Sequence, residues 1–204
     1  MTDQYLFVDT ETTGLFDFKK PADAPGQPRL AHLAMIRTDP DGTIERADDY
    51  YAWPDRWVMP PEAGKINGLT TEFLRERGIP IGEILDAYED AVIRENRVVV
   101  AFNAQYDLKI MRGEFRRAQR ADHFEVTRNI CVMRPMTDIC RLPGRFPGQF
   151  KFPKLIEALS HLGETHEKAH NALADVEGAR TVFLYLKSRG LLPTAAVHFA
   201  KERI

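Results

Sequence analysis

Asp9 and Glu11 close a short run of strand-forming residues, and this acidic pair constrains the chain more than any other feature. Residues 5–8 before the pair are aromatic or aliphatic and predict a β-strand. Because successive side chains of a strand point to opposite faces, both acids share one face with Phe7. Carboxylates side by side at the end of a buried strand repel each other and lose hydration, which a pair of hard divalent cations would offset. The pair therefore predicts a metal site if other segments supply further ligands.

Two more aspartates lie on the apolar faces of predicted helices. Asp107 stands on the inward stripe of a helix predicted over 105–120, and Asp175 on that of a helix predicted over 171–188. A buried acid is costly unless it is paired, hydrogen-bonded or bound to metal, although an acid near a helix start also complements the helix dipole. Together with the strand pair, the two aspartates offer four oxygen ligands, which is the donor set of a two-metal centre for phosphodiester chemistry.

His170 precedes Asp175 by five residues, so it is expected at or just before the start of the last helix. From there its imidazole can reach the same site, where a histidine near a metal-bound water can act as a general base at neutral pH. A solvated histidine at a helix start is the alternative interpretation.

Three segments resemble, in order, the exonuclease motifs of the DnaQ-like superfamily: residues 9–14 (DTETTG), 103–107 (NAQYD) and 170–175 (HNALAD). The spacing of His170 and Asp175 is similar to that of the DEDDh branch, which includes the proofreading subunit of bacterial replicative polymerase. Residues 66–70 (INGLT) are similar to a further segment common in these enzymes. The resemblance spans residues 4–188.

The resemblance implies an α/β fold of the ribonuclease H-like class, with a mixed sheet of five strands, three antiparallel and two parallel, flanked by helices. It implies an exonuclease domain over residues 1–190, followed by a tail of unassigned role over 191–204. The implied activity is stepwise hydrolysis of single-stranded or frayed DNA from the 3′ end with two Mg²⁺ or Mn²⁺ ions, releasing nucleoside 5′-monophosphates. Proofreading or DNA repair would be the process, with a DNA polymerase as a candidate partner.

The resemblance also implies roles for single residues. Asp9 would bridge both ions, Glu11 and Asp175 would hold the ion on the nucleophile side, and Asp107 would hold the other. His170 would deprotonate the attacking water. The residues expected to contact the substrate are Thr12, Thr13, Gly14, Leu15, Phe102 and Asn103, with Gly14 allowing close backbone approach and Leu15 wedging against the last base. Phe102 stands where many relatives have histidine, so nearby substrate contacts are expected to differ.

Three other functions compete with a DNA exonuclease. The first is an exoribonuclease on the same fold, acting on short RNA. The second is a zinc metalloprotease, because His166, Glu167 and His170 fit H-E-x-x-H, although Gly163 and Thr165 stand where that motif needs helix. The third is a non-catalytic binding module, which five filled catalytic positions argue against.

Composition narrows the setting. The chain has 204 residues, 44% hydrophobic and 28% charged, which suits one globular domain with a real core. It has neither a transmembrane run nor a secretory signal, and Cys131 and Cys140 lack metal-ligand spacing, so we predict a reduced, cytoplasmic protein. A net charge of −2 argues against a protein that coats duplex DNA through a broad basic face.

Residues 141–154 contain two arginines, two lysines, three phenylalanines and no acid. This segment, here called the basic-aromatic loop, has the residue types that bind single-stranded nucleic acid, yet its phenylalanines could equally pack into the core. Proline and glycine also predict an irregular loop over 16–28. The remaining predicted elements are strands over 4–10, 30–37, 43–53 and 98–102, and helices over 70–77, 81–95 and 154–162.

Overall fold

The computed structural model describes residues 2–166 and 171–197. The strands are β1 (Tyr5–Thr12), β2 (Leu30–Thr38), β3 (Ile44–Tyr51), β4 (Val98–Ala101) and β5 (Asn129–Cys131). The helices are α1 (Pro61–Asn67), α2 (Thr71–Arg77), α3 (Ile81–Glu89), α4 (Ala104–Arg117), α5 (Met133–Cys140), α6 (Leu155–His161) and α7 (Ala172–Ser188).

The strands form one five-stranded sheet in the order β3-β2-β1-β4-β5. β1 pairs antiparallel with β2, and β2 antiparallel with β3, whereas β1–β4 and β4–β5 are parallel. The predicted mixed sheet is therefore confirmed. The predicted turn over 39–42 joins β2 to β3, and in it the amide of Gly42 donates to the carbonyl of Asp39 at 3.1 Å. Gly42 has a φ of 88°, which suits glycine at this position.

The alternation of β1 side chains divides the core into two layers. Leu6 and Val8 pack with α3 and α4 on one face of the sheet. Phe7 packs with α5, α6 and α7 on the other, and its ring lies edge-on to that of Phe183 at 5.0 Å between centroids. Helices thus cover both faces of the sheet, so acids carried by α4 and α7 approach the end of β1 from opposite sides.

One predicted helix divides in two, and three elements were not predicted. The helix predicted over 81–95 ends as α3 at Glu89 and continues as a π-helical turn over Asp90–Arg94. The unpredicted elements are α1, β5 and α5, each eight residues or shorter. α1 begins with Pro61 and is closed by Gly68 at a φ of 73°. Proline and glycine are compatible with the two ends of a helix, but in the sequence they indicate a loop.

Residues 191–197 return to the sheet, where Ala196 forms an isolated antiparallel bridge with Asn129. The rest of the predicted tail, residues 198–204, lies outside the described residues. No described helix combines the length and the apolar character needed to cross a membrane.

Candidate active site

The acids of the first motif lie at the edge of the sheet where three strands end. β1, β4 and β5 run in the same direction, so their carboxyl ends meet at this edge. β1 pairs with β4 only over residues 5–7 and then extends beyond it, carrying Asp9 and Glu11 past the ladder. The strand thereby holds both acids in place while leaving them accessible to side chains of the flanking helices.

Asp9, Glu11 and Asp175 form a compact cluster, here called the carboxylate cluster. One carboxylate oxygen of each lies within 4.8 Å of the others. Asp175 reaches the pair from the first turn of α7, which packs on the Phe7 face of the sheet. Among the described residues, this is the one group of at least three potential ligands that could hold a metal ion.

Asp107 approaches from the opposite face and is buried on α4. Its Oδ1 accepts hydrogen bonds from the backbone amide of Thr10 at 3.1 Å and from the Thr10 hydroxyl at 2.8 Å. The first bond satisfies a β1 amide beyond the ladder with β4, and the second occupies the Thr10 side chain on the α4 face. Asp107 is therefore held beside the cluster through its Oδ1 atom.

The electrostatics of the site call for a cation. Burial raises the pKa of the Asp9 carboxyl well above its usual range, and the charges of Asp107, Asp175 and Glu11 raise it further. Burial, followed by the charges of Asp175 and Asp107, raises the pKa of Glu11 to about 8. Burial also raises the pKa of Asp107, against the hydrogen bonds from Thr10. Hard oxygen donors with this repulsion fit a divalent ion, which would restore their ionised form.

Histidines supply an unexpected contact. Nε2 of His166 lies 2.5 Å from Oδ1 of Asp175, and the imidazole is largely buried. In the sequence, His166 stands out only as part of the competing protease motif. Glu167 and His170, the other members of that motif, lie outside the described residues, so the predicted general base is not located.

The segment expected to receive the terminal nucleotide is held from two directions. The Tyr106 hydroxyl donates to the carbonyl of Gly14 at 2.9 Å and lies 2.7 Å from the Thr12 hydroxyl, while Thr13 Oγ1 accepts from the amide of Arg29 at 2.8 Å. The Asn67 side-chain amide donates to the carbonyl of Thr12 at 3.2 Å. It also hydrogen-bonds Glu11, which offsets part of the rise that burial and the neighbouring charges cause in the pKa of that carboxyl.

Tyr106 and Asn67 were not singled out as functional residues, although both lie within motifs quoted for the resemblance. Tyr106 directly precedes Asp107 and is partly buried, and its hydroxyl joins the second motif to the first. Asn67 ends α1 within the INGLT segment. Their signal was a polar group next to a motif acid, which does not reveal its partner without the fold.

The other predicted substrate contacts differ in accessibility. Leu15, four residues after Glu11 in the chain, is 92% exposed. Phe102 is only 8% exposed and packs with the core beneath α7, so its ring is not presented at the surface. Asn103 precedes α4, and its carbonyl accepts a hydrogen bond from the amide of Tyr106 at 2.8 Å.

Comparison with known proteins decides the family. A family model described as exonuclease, RNase T, matches residues 6–183. The chain belongs to the RNase T exonuclease family of the DnaQ-like superfamily. It is therefore an exonuclease domain and a hydrolase, and this membership favours the nuclease over the protease and binding-module hypotheses. The uncharacterised exonuclease CP81 of Escherichia phage 186 is 30% identical over 180 residues, covering 86% of this chain and 84% of that protein.

Solved structures support the fold. E. coli exonuclease I in complex with a dT13 oligonucleotide matches with a TM-score of 0.76 and 23% identity, over 92% of this chain and 41% of that chain. A zinc-bound form of the E. coli exonuclease I–single-stranded DNA complex matches with a TM-score of 0.74 and 22% identity, over 92% of this chain and 41% of that chain. This chain thus spans about two fifths of the exonuclease I chains it resembles.

Removing one charge from the cluster should stabilise the metal-free protein. The folded-state pKa values of Asp9 and Glu11 lie above the unfolded values of about 4, so the stability they provide is present at low pH and is lost as the pH rises toward 8. In EDTA, Asp9→Asn should therefore raise the thermal midpoint by several degrees at pH 8, and by less at pH 5.

Saturating Mg²⁺ or Mn²⁺ should make the thermal midpoint of the wild type higher than that of Asp9→Asn. The wild type can bind the metal through an ionised carboxylate, which the asparagine lacks. Thermal unfolding across this pH range, with and without the metal, checks both effects. A variant less stable than the wild type at pH 8 in EDTA would show that the carboxylates do not repel each other as inferred.

Proposed function

We propose that this protein is a metal-dependent exonuclease that degrades single-stranded or frayed DNA from the 3′ end and releases nucleoside 5′-monophosphates. The observation that carries the proposal is the carboxylate cluster, with the oxygens of Asp9, Glu11 and Asp175 within 4.8 Å of each other and Asp107 beside them. Two Mg²⁺ or Mn²⁺ ions are the proposed cofactors. When bound, such ions would activate water and stabilise charge on the attacking and leaving oxygens.

The cluster suggests how its ligands divide. Asp9, Glu11 and Asp175 would hold the ion on the nucleophile side, and Asp107 would help Asp9 to hold the second. The hydrogen bonds from Thr10 occupy Oδ1 of Asp107, which suits a ligand that contributes less than the other three. His170 would take the proton from the attacking water.

The first-motif segment supports a 3′-terminal nucleotide as the group that enters the site. Tyr106 and Asn67 hold the backbone around Thr12 and Gly14, while Leu15 projects into solvent four residues after Glu11. A fixed backbone and an exposed apolar side chain can receive a sugar and a base face. Single-stranded DNA is favoured because the structurally similar exonuclease I is solved with a dT13 oligonucleotide.

We further propose residues 1–190 as the exonuclease domain and the cytoplasm as its location, which suits the two free cysteines. Proofreading beside a DNA polymerase and stand-alone repair are both compatible with this activity. RNA is the alternative substrate, and matched DNA and RNA oligonucleotides should be compared in every assay below.

Loss of cluster ligands should abolish the activity. With Mg²⁺ or Mn²⁺, the wild type should shorten a 5′-labelled single strand stepwise, whereas Asp9→Ala and Asp175→Ala should leave it intact. Asp41→Ala is the matched control, because Asp41 is exposed in the turn between β2 and β3, beside the start of β1 and away from the acids at its end. Full activity in excess EDTA, or in the Asp9 variant, would contradict the proposal.

The two neighbouring histidines should separate under substitution. His170→Ala should lower kcat by about 10²–10⁴-fold, the usual contribution of a general base. His166→Ala should keep kcat within a few-fold at saturating Mn²⁺. His166 contacts the Asp175 carboxylate, so its loss should weaken the binding of the metal, which a saturating concentration restores. The reverse pattern would assign the base to His166.

Gly14 should matter to the substrate and not to folding. A Cβ built at Gly14 meets no atom within 4 Å, and the backbone φ there is not positive, so Gly14→Ala should leave the thermal midpoint unchanged. It should still lower kcat/KM for DNA about tenfold or more, because the methyl group would stand where the nucleotide approaches.

Gly82→Ala is the matched control for this substitution. Gly82 also has open space around a built Cβ and no positive φ, but it lies in α3. Its substitution should leave kcat/KM unchanged and raise stability slightly, as expected for alanine in a helix. Unchanged kcat/KM in Gly14→Ala would remove the substrate from this position.

A further inference from the structure

The basic-aromatic loop, residues 141–154, folds as a small hairpin. Pro143 and Phe150 form an isolated antiparallel bridge, and the amide of Gly144 donates to the carbonyl of Gln149 at 2.8 Å. The amide of Lys151 donates to the carbonyl of Leu142 at 3.0 Å. The segment therefore presents its side chains from an ordered backbone, as a binding surface requires.

All three phenylalanines of the hairpin are accessible to solvent. Phe146, Phe150 and Phe152 are 57%, 43% and 60% exposed, so the alternative in which they pack into the core is wrong. Phe146 and Phe150 line an open cleft of about 400 Å³ together with Arg141 and Arg145. Three exposed rings in fourteen residues form an apolar surface that folding alone does not explain.

The charge of the hairpin selects a partner that carries phosphates. Arg141, Arg145, Lys151 and Lys154 stand in a segment without a single acid. Within the described part of the chain, only Lys151 of these four pairs with a carboxylate, that of Glu157 at 2.6 Å. The Arg145 guanidinium lies 5.5 Å from the Phe146 ring centroid, which places a cation and a stacking surface together.

The basic-aromatic loop leads directly into α6, which packs against α7, the helix that carries Asp175. Leu155, the residue after Lys154, packs against Gly178, where a built Cβ would lie 3.2 Å from a Leu155 methyl carbon. Gly178 follows Asp175 by three residues on α7, a rise of about 4.5 Å along the helix. The end of the loop and Asp175 therefore lie on the same side of the sheet, so a strand whose 3′ end occupies the cluster can extend toward the loop.

We propose that the basic-aromatic loop binds the single strand on the 5′ side of the nucleotide being removed. Bases stack on Phe146, Phe150 and Phe152, and phosphates pair with Arg141, Arg145 and Lys154. This assignment rests on the proposed exonuclease function, since it takes the bound strand to be the substrate.

The test measures binding separately from cleavage. A fluorescent single strand of about 15 nucleotides, long enough to span such a site, is titrated with protein in EDTA. Replacing the three loop phenylalanines by alanine should raise the Kd about tenfold or more. Arg145→Ala with Lys154→Ala should raise the Kd and reduce the slope of log Kd against log salt by about 0.7 for each cation removed.

The control variant removes one exposed apolar side chain and one exposed cation near the ends of β4 and β5 that lie away from the cluster. Val126→Ala with Arg94→Ala deletes an exposed aliphatic side chain and an exposed arginine before β5 and β4. It should bind the strand as the wild type does. Equal thermal midpoints for all variants would show that folding is unaffected, as expected for exposed side chains.

Cleavage assays distinguish the role of the loop from the exonuclease activity itself. The loop variants should raise KM on the long strand but leave the rate on a dinucleotide unchanged, because that substrate carries only the bond to be cleaved and offers nothing on its 5′ side for the loop to bind. Two results would overturn the loop assignment. One is that the wild type does not bind the strand, and the other is that both loop variants bind it with the Kd of the wild type. Absence of metal-dependent cleavage by the wild type would instead overturn the proposed exonuclease function.

Discussion

Repulsion among carboxylates at the end of β1 is the interaction around which the fold is arranged. Asp9 and Glu11 are held on one face of a central strand, and Asp175 comes within 4.8 Å of them from α7. Such a group is unfavourable in isolation, because burial and like charges both raise the carboxyl pKa values. The large apolar layers on each side of β1 supply the stability that allows the acids to remain there.

The same constraint explains why the neighbouring polar contacts are so specific. Asp107 is fixed by the amide and hydroxyl of Thr10, which lies between the two acids of the strand. Asn67 contacts both Glu11 and the Thr12 carbonyl. The Tyr106 hydroxyl donates to the carbonyl of Gly14, two residues further along. A carboxylate site of this kind needs positions defined within fractions of an ångström, and hydrogen bonds from separate elements provide that rigidity.

The convergence of the acids could be predicted from sequence because simple periodicities determine it. Alternation along β1 places Asp9 and Glu11 on one face, and helical spacing places Asp107 and Asp175 on inward stripes. β5 could not be predicted in this way, because its three residues acquire strand structure only by pairing with β4. Proline in the first turn of α5 likewise indicates a loop until tertiary packing selects a helix.

Some contacts follow no sequence periodicity and could not be predicted for that reason. His166 and Asp175 are nine residues apart, a spacing that neither a helix nor a strand turns into a contact between side chains. The exposure of the loop phenylalanines was equally undetermined, since composition does not reveal which side of a loop faces solvent.

Leu15, Gly14 and the loop phenylalanines are features for which folding alone gives no reason. Leu15 and the three loop phenylalanines forgo burial, although each buried side chain of this size stabilises a protein by about 1.5–3 kcal/mol. At Gly14 neither the available space nor the backbone φ requires glycine, so a residue with a side chain would fit the fold. Stability alone would favour other residues at all of these positions. A strand of nucleic acid that enters at Gly14 and Leu15 and leaves over the hairpin gives them one common explanation, because it supplies the sugar, bases and phosphates that these groups lack as partners in the protein.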